Sequence, residues 1–213
     1  MKCWNDLMGL VENKNIVKEE RLRVLVACEF SGIVRQAFTD RGHYCISCDL
    51  LPTEIPGNHY QGDVRDLLLP GQWDLMIAHP PCTHLATSGA RYFHKKQKEQ
   101  EEALEFVREL MAAPIDRICI ENPVSVISGS IRPPDQVIQP YQFGHGEIKK
   151  TCLWLKNLPP LKPTNIVEGR EARVAGLGPT KDRWKKRSRT LQGIADAMSE
   201  QWGKLTPVQG EMF

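Results

Sequence analysis

Long apolar runs are missing from this chain. None reaches the roughly 18 residues that a membrane helix needs, so no membrane partner is expected. The N-terminus lacks a basic segment followed by an apolar stretch, so no secretory signal is visible. Charge of one sign is not in excess. Lys and Arg number 28 against 26 Asp and Glu, for a formal net charge of +2. That total does not mark a strongly basic nucleic-acid binder. No G-x-G-x-x-G occurs, so a dinucleotide pyrophosphate has no obvious cradle. Cys45-x-x-Cys48 has the spacing of a redox or zinc pair, but no second pair follows at zinc-finger spacing and the pair lies in a predicted strand. No metal site is therefore expected. The seven cysteines are odd in number and accompany no signal, which predicts reduced thiols in a cytoplasmic protein.

What is present fits one folded unit. A chain of 213 residues suits a single domain. Apolar residues at 41% against 25% charged predict a full core rather than disorder. Residues 1–20 read as a mixed N-terminal extension able to form a short helix. Short, β-branched apolar runs at 23–28, 44–49, 73–78, 117–120 and 151–155 read as strands. Helical spacing marks 33–41, stopped by Gly42, and 95–112, whose apolar face carries Ala103, Leu104, Val107, Leu110 and Met111. A last helix is expected over about 191–202, and 83–93 reads as a loop. Residues 156–187 are rich in Pro, Gly and Lys and have weak periodicity. Alternating strands and helices predict an α/β fold with a mostly parallel sheet flanked by helices.

Functional loops gather at the carboxyl ends of the strands in such a sheet. The unusual polar clusters fall at those ends: 29–32, 49, 62–66, 79–82 and 121–123. Asp49 ends the second strand, where an acid accepts hydrogen bonds from ribose hydroxyls. Asp63 follows Gly62, where a carboxylate can accept an adenine amino hydrogen. Together they suit an adenosine ligand without a pyrophosphate; singly, each could merely cap a turn. Cys82 follows two prolines outside any strand, near His79 and His84. The prolines fix the backbone, the turn exposes the thiol, and a lowered pKa would make it a nucleophile. Glu121 directly follows an apolar strand, where desolvation would raise its pKa and let it donate a proton. Lys181, Arg183, Lys185, Lys186, Arg187 and Arg189 crowd together, offset by Asp182 alone, and read equally as a solvated face or a phosphate-meeting patch.

Phe30-Ser31-Gly32, Pro80-Pro81-Cys82 and Glu121-Asn122-Pro123, in that order, resemble the DNA cytosine-C5 methyltransferase family, in its short, phage- or prophage-type form. The resemblance covers roughly residues 22 to 155, with a weaker echo over 190 to 203. It implies a Rossmann-like class I S-adenosylmethionine-dependent methyltransferase fold with S-adenosylmethionine as cofactor. The cofactor-binding residues implied are Phe30, Ser31, Gly32, Asp49, Leu50, Asp63, Val64 and Pro80. Cys82 would attack C6 of a cytosine flipped out of DNA, and Glu121 would contact N3 and the amino group. Pro81, Thr83, Ser88, Asn122, Pro123, Lys149, Thr151 and Arg187 would meet the substrate. Residues 83–93 would form a mobile loop closing over it.

The chain departs from the family pattern in several places. Ala78-His79 stand where glycines usually precede Pro-Pro-Cys. Lys149 and Thr151 fall on two positions that are normally Arg, and Gly193-Ile194-Ala195 only echoes a late Gly-Asn. Residues 156–187 stand in place of a full target-recognition domain, so specificity could be relaxed, borrowed from a protein partner or supplied by the basic cluster. Other readings remain: an amino methyltransferase, the same chemistry on RNA or a free pyrimidine nucleotide, or a non-catalytic nucleic-acid or host-protein binder.

Overall fold

A computed structural model describes residues 21–172 and 183–204. The expected helix within 1–20, and Lys181 and Asp182 of the basic cluster, lie outside them. One seven-stranded sheet organises the chain. Its strands are β1 (Arg23–Ala27), β2 (Tyr44–Asp49), β3 (His59–Gln61), β4 (Leu75–Ala78), β5 (Arg117–Pro123), β6 (Gln136–Ile138) and β7 (Thr151–Lys156). Their spatial order is β3-β2-β1-β4-β5-β7-β6. The first five pair in parallel, and β7 runs antiparallel to both β5 and β6. The helices are α1 (Ile33–Asp40), α2 (Gln97–Met111), α3 (Ile127–Ser130), α4 (Arg183–Ser188) and α5 (Gln192–Trp202). The expected α/β architecture is present, with a mostly parallel sheet.

The alternation of strand side chains divides the core into two layers. Val24, Val26, Leu75 and Ile77 pack with Val34, Phe38, Met198 and Trp202, beneath α1 and α5. Leu25, Ala27, Met76 and Ala78 pack with Leu104, Val107 and Leu110 of α2. Burial on both faces explains why β1 and β4 are continuous apolar runs rather than alternating ones. The same parity separates the cysteine pair. Three residues apart on one strand, Cys45 and Cys48 project into opposite layers and cannot share a metal or a disulfide.

Several boundaries differ from the sequence expectation. β1 stops at Ala27, because Cys28 turns the chain with a left-handed φ of 59°. β5 runs on through Glu121-Asn122-Pro123, since β7 pairs with all three. Residues 83–93 are not a free loop: a 3₁₀ stretch covers Thr87–Lys95. That segment is tied down where the Thr87 amide and hydroxyl both donate to Val124 O, and where Val126 N donates to Leu85 O. Leu85 is fully buried beneath it.

Candidate active site

The order in which strands are added reverses between β1 and β4, parallel neighbours from which the sheet grows outward on either side. Ligands of open α/β sheets bind at the carboxyl ends of strands flanking such a point. At the end of β1, Glu29 is buried. One of its carboxylate oxygens accepts from Val34 N at 2.7 Å and Ser31 Oγ at 3.1 Å; the other accepts from Arg35 N at 3.2 Å. The N-terminus of α1 therefore already holds an anion from its own chain. This agrees with the missing glycine fingerprint, since a pyrophosphate would compete with a built-in carboxylate.

Gly32 caps α1 at φ 75°, a region costly for residues bearing a Cβ. A Cβ there would also lie 2.7 Å from Arg35 Nη2. Arg35 is itself buried and donates to the carbonyls of Ile55 (2.6 Å), Pro56 (3.3 Å) and Asn58 (3.4 Å). Phe30, Ser31 and Gly32 thus form a packed turn bracing the 52–58 loop, and none of them lines the cleft described next.

That cleft has a volume of about 220 Å³ and opens between the ends of β1, β2 and β3. Asp49, Leu50, Asp63 and Val64 line it as expected, and Cys28, Cys48, Gly62, Arg65 and Phe106 complete the wall. Pro81 lines it as well, whereas Pro80 is buried behind. Burial pushes the Asp49 carboxyl up, against a 2.9 Å hydrogen bond that Oδ1 accepts from Leu51 N. Asp63 is held down, first by the Arg65 amide donating to Oδ1 at 3.0 Å and then by the Arg65 guanidinium on Oδ2 at 3.0 Å. The turn-capping reading of Asp63 is therefore realised, while the residue still lines the cleft.

The thiol corner adjoins this wall. Asn122 is buried and its Nδ2 donates to Pro80 O at 2.9 Å, fixing the Pro80-Pro81 turn from β5. Leu85 N and Ala86 N donate to Cys82 O and fix it from the other side. Cys82 is exposed, as are Pro81, Thr83 and Ser88. Enough protein surrounds its sulfur to push the thiol up, and Glu121 adds to that rise, while Lys149 and Arg187 pull it down. The thiol therefore lacks the lowered pKa that would raise its thiolate fraction.

Glu121 also behaves otherwise than expected. Burial pushes its carboxyl up, but His79 Nδ1 lies 2.7 Å from Oε2, and that bond, with the charges of His79 and Lys149, outweighs burial. Its pKa falls below the ordinary value, so Glu121 is a carboxylate and not a resident proton donor. His79 shows the reciprocal effect: burial lowers it, the Glu121 contact more than compensates, and its pKa rises. His79 Nε2 and Asn122 Oδ1 are buried without a hydrogen-bond partner.

Lys149 connects the corner to α4. Its amide donates to Gln139 Oε1 and its Nζ donates to Arg187 O at 2.9 Å. Thr151 is buried, opposite Pro123 in the β5–β7 ladder, and donates its hydroxyl to Lys149 O at 3.1 Å. Gly193, in the first turn of α5, lies so close to the Phe143 carbonyl that a Cβ would overlap it, which gives the 193–195 echo a packing reason. Glu29 and Arg35 were not singled out from sequence. The one available signal was a charged pair inside an otherwise apolar strand–turn–helix. A larger cavity, of about 380 Å³, lies toward the opposite end of β5; no thiol or carboxylate residue lines it.

Neither a protein-family model nor a characterised protein matches this sequence. The chemistry must be argued from the site. An exposed thiol, a buried carboxylate–imidazole pair and a cleft with two acids meet at the carboxyl ends of the parallel strands. That set suits addition of sulfur to an electrophilic ring beside a bound nucleoside-like ligand. Among the described residues no cluster of potential metal ligands occurs, and no helix is long and apolar enough to cross a membrane.

Proposed function

We propose that the protein is an S-adenosylmethionine-dependent methyltransferase that methylates C5 of cytosine in DNA through a covalent Cys82 adduct, on a class I methyltransferase form of this sheet. One observation carries the reading: Pro81 lines the cleft containing Asp49 and Asp63, and the next residue is the exposed thiol. One rigid turn thus joins a ligand cleft to a nucleophile. The residues fit the cofactor. Asp49 and Asp63 offer two acceptors for an adenosine, Leu50, Val64 and Phe106 offer apolar walls, and Glu29 closes the helix terminus that a diphosphate would need.

When bound, S-adenosylmethionine supplies the methyl group taken up at C5. The chain's own residues prepare and release the ring. The Cys82 thiolate adds to C6, forming an S–C6 bond and making C5 electron-rich. Glu121, held as a carboxylate by His79, accepts a hydrogen bond from the exocyclic amine and, once N3 has taken a proton from solvent, from N3–H as well. Loss of the C5 proton to solvent, with return of the N3 proton, then expels the Cys82 thiolate and restores the C5–C6 double bond. Asn122 keeps the Pro80-Pro81 turn, and with it the sulfur, in place.

The test supplies cofactor carrying a labelled methyl with duplex DNA, single-stranded DNA, RNA or dCMP, and identifies the labelled nucleoside. The expected product is 5-methyl-2′-deoxycytidine from DNA, with a stable adduct on 5-fluorocytosine DNA and neither product from Cys82→Ser. Label only in RNA or dCMP would reassign the substrate. Label on N4, or full activity of Cys82→Ser, would discard the mechanism.

A further inference from the structure

The basic segment acquires a specific geometry in α4. Trp184 is 52% exposed, unusual for so large an apolar side chain. Its ring meets Phe30 of the β1–α1 turn at 5.9 Å between centroids, and Lys185 Nζ lies 5.6 Å from its ring centre. Lys186 and Arg187 are exposed. Three residues apart, Trp184 and Arg187 share one face of the helix. The far end of α4 is pinned near the thiol corner by the Lys149 bond to Arg187 O, and both Lys149 and Arg187 act electrostatically on Cys82. Glu54, which feels the charge of Lys185, is held bidentately by Arg189 at 2.7 and 2.8 Å, so its charge is already paired. An aromatic face interleaved with cations therefore spans the distance from the β1–α1 turn to the nucleophile.

We propose that α4 is the substrate-holding element and that it holds single-stranded DNA, with one base stacked on Trp184 and the adjoining phosphates met by Lys186, Arg187 and Lys149. This rests on the cytosine methyltransferase reading and names its substrate form. Aromatic rings among cations grip unpaired strands, because every base offers a face for stacking. Duplex readers instead place an element in a groove and must pay to extrude the target base. Among the described residues, the stretch between β7 and α5 carries only α4 and two isolated bridges, Phe143↔Asn165 and Glu147↔Glu171.

Equilibrium binding of a labelled cytosine-containing 20-mer to the full chain tests this, as a single strand, as its duplex and as the matching RNA, each across a salt series. The expected result is single-stranded DNA bound at least tenfold tighter than duplex. Trp184→Ala should weaken it roughly tenfold with the salt slope unchanged, and Trp184→Phe should restore most of the loss. Lys186→Ala/Arg187→Ala should flatten the log–log salt slope by about 1.4, two contacts at roughly 0.7 each. Duplex binding equal to or tighter than single strand, RNA binding tighter than DNA, or indifference to Trp184→Ala would overturn the proposal. The readout is binding, so the two readings fail separately. Strand binding with this pattern but no methyl transfer removes the enzyme assignment alone. Methylation of duplex DNA without dependence on Trp184 removes the α4 assignment alone.

Discussion

Cys82 sits under opposing influences that can be separated by substitution. Burial and Glu121 raise the thiol, while Lys149 and Arg187 lower it. The reactive species is the thiolate, so reactivity should rise with pH and be centred above the ordinary cysteine value. Lys149→Ala removes a lowering charge and should slow iodoacetamide capture of Cys82 several-fold at pH 8. Glu121→Gln removes a raising charge and should speed it. Peptide mapping separates Cys82 from Cys3; among the described residues, Cys45, Cys48, Cys119 and Cys152 are buried and burial also pushes the half-buried Cys28 thiol far up. Equal rates in both variants would show that neither residue senses the sulfur.

The His79–Glu121 pair has a worked sign. Glu121 is depressed, so its contribution is present above about pH 4.5 and is lost as pH falls through its folded value. His79 is raised, so its contribution is complete below about pH 6.5 and is lost as pH rises through its folded value. The pair should therefore stabilise the fold most between those limits. Its side chains are only 8% and 12% exposed, and removing one partner strands the other. Urea unfolding of His79→Ala should show a loss of about 3–5 kcal/mol near pH 5.5, narrowing toward alkaline pH. A pH-independent difference would mean that the pair is not ionic.

At the scale of elements, what sequence disclosed depended on how an element is stabilised. β1, β4 and α2 were legible because burial on regular periods writes itself into residue type. β6 was not: Gln136–Ile138 lies between proline-rich turns, and its pairing with β7 holds it. α4 has no buried residue, so no periodicity could announce it. The terminal residues of β5 were placed outside the strand because a carboxylate and an amide look wrong in a core. The ladder with β7 and the partners His79 and Pro80 O make them tolerable. In the site, Cys82, Asp49 and Asp63 were legible from position, whereas the Glu29 cap depends on the fold of its turn. Glu29→Ala leaves Val34 N, Arg35 N and Ser31 Oγ without their shared acceptor. The expected cost is about 1–3 kcal/mol in urea unfolding, with Glu29→Gln losing less. An unaffected Glu29→Ala would mean that water replaces the cap freely.

For the whole molecule, one sheet carries the cleft wall and the thiol, so ligand binding and global stability are linked. The cleft lies at the ends of β1, β2 and β3, and Pro81 extends it to the end of β4. A ligand there bridges strands that separate only when the sheet unfolds. S-adenosylhomocysteine at a hundredfold its dissociation constant should add about 2.7 kcal/mol. For a chain of this length, that corresponds to a rise in Tm of about 5–10 °C. Asp49→Ala should lose most of the rise, since it removes one of the two acceptors without disturbing the core. Cys82→Ser should keep it in full, because Cys82 does not line the cleft and the proposed mechanism gives its sulfur to the substrate. A rise lost in Cys82→Ser but kept in Asp49→Ala would reverse this division, placing the adenosine at the thiol corner and leaving the β1–β3 cleft without its proposed ligand.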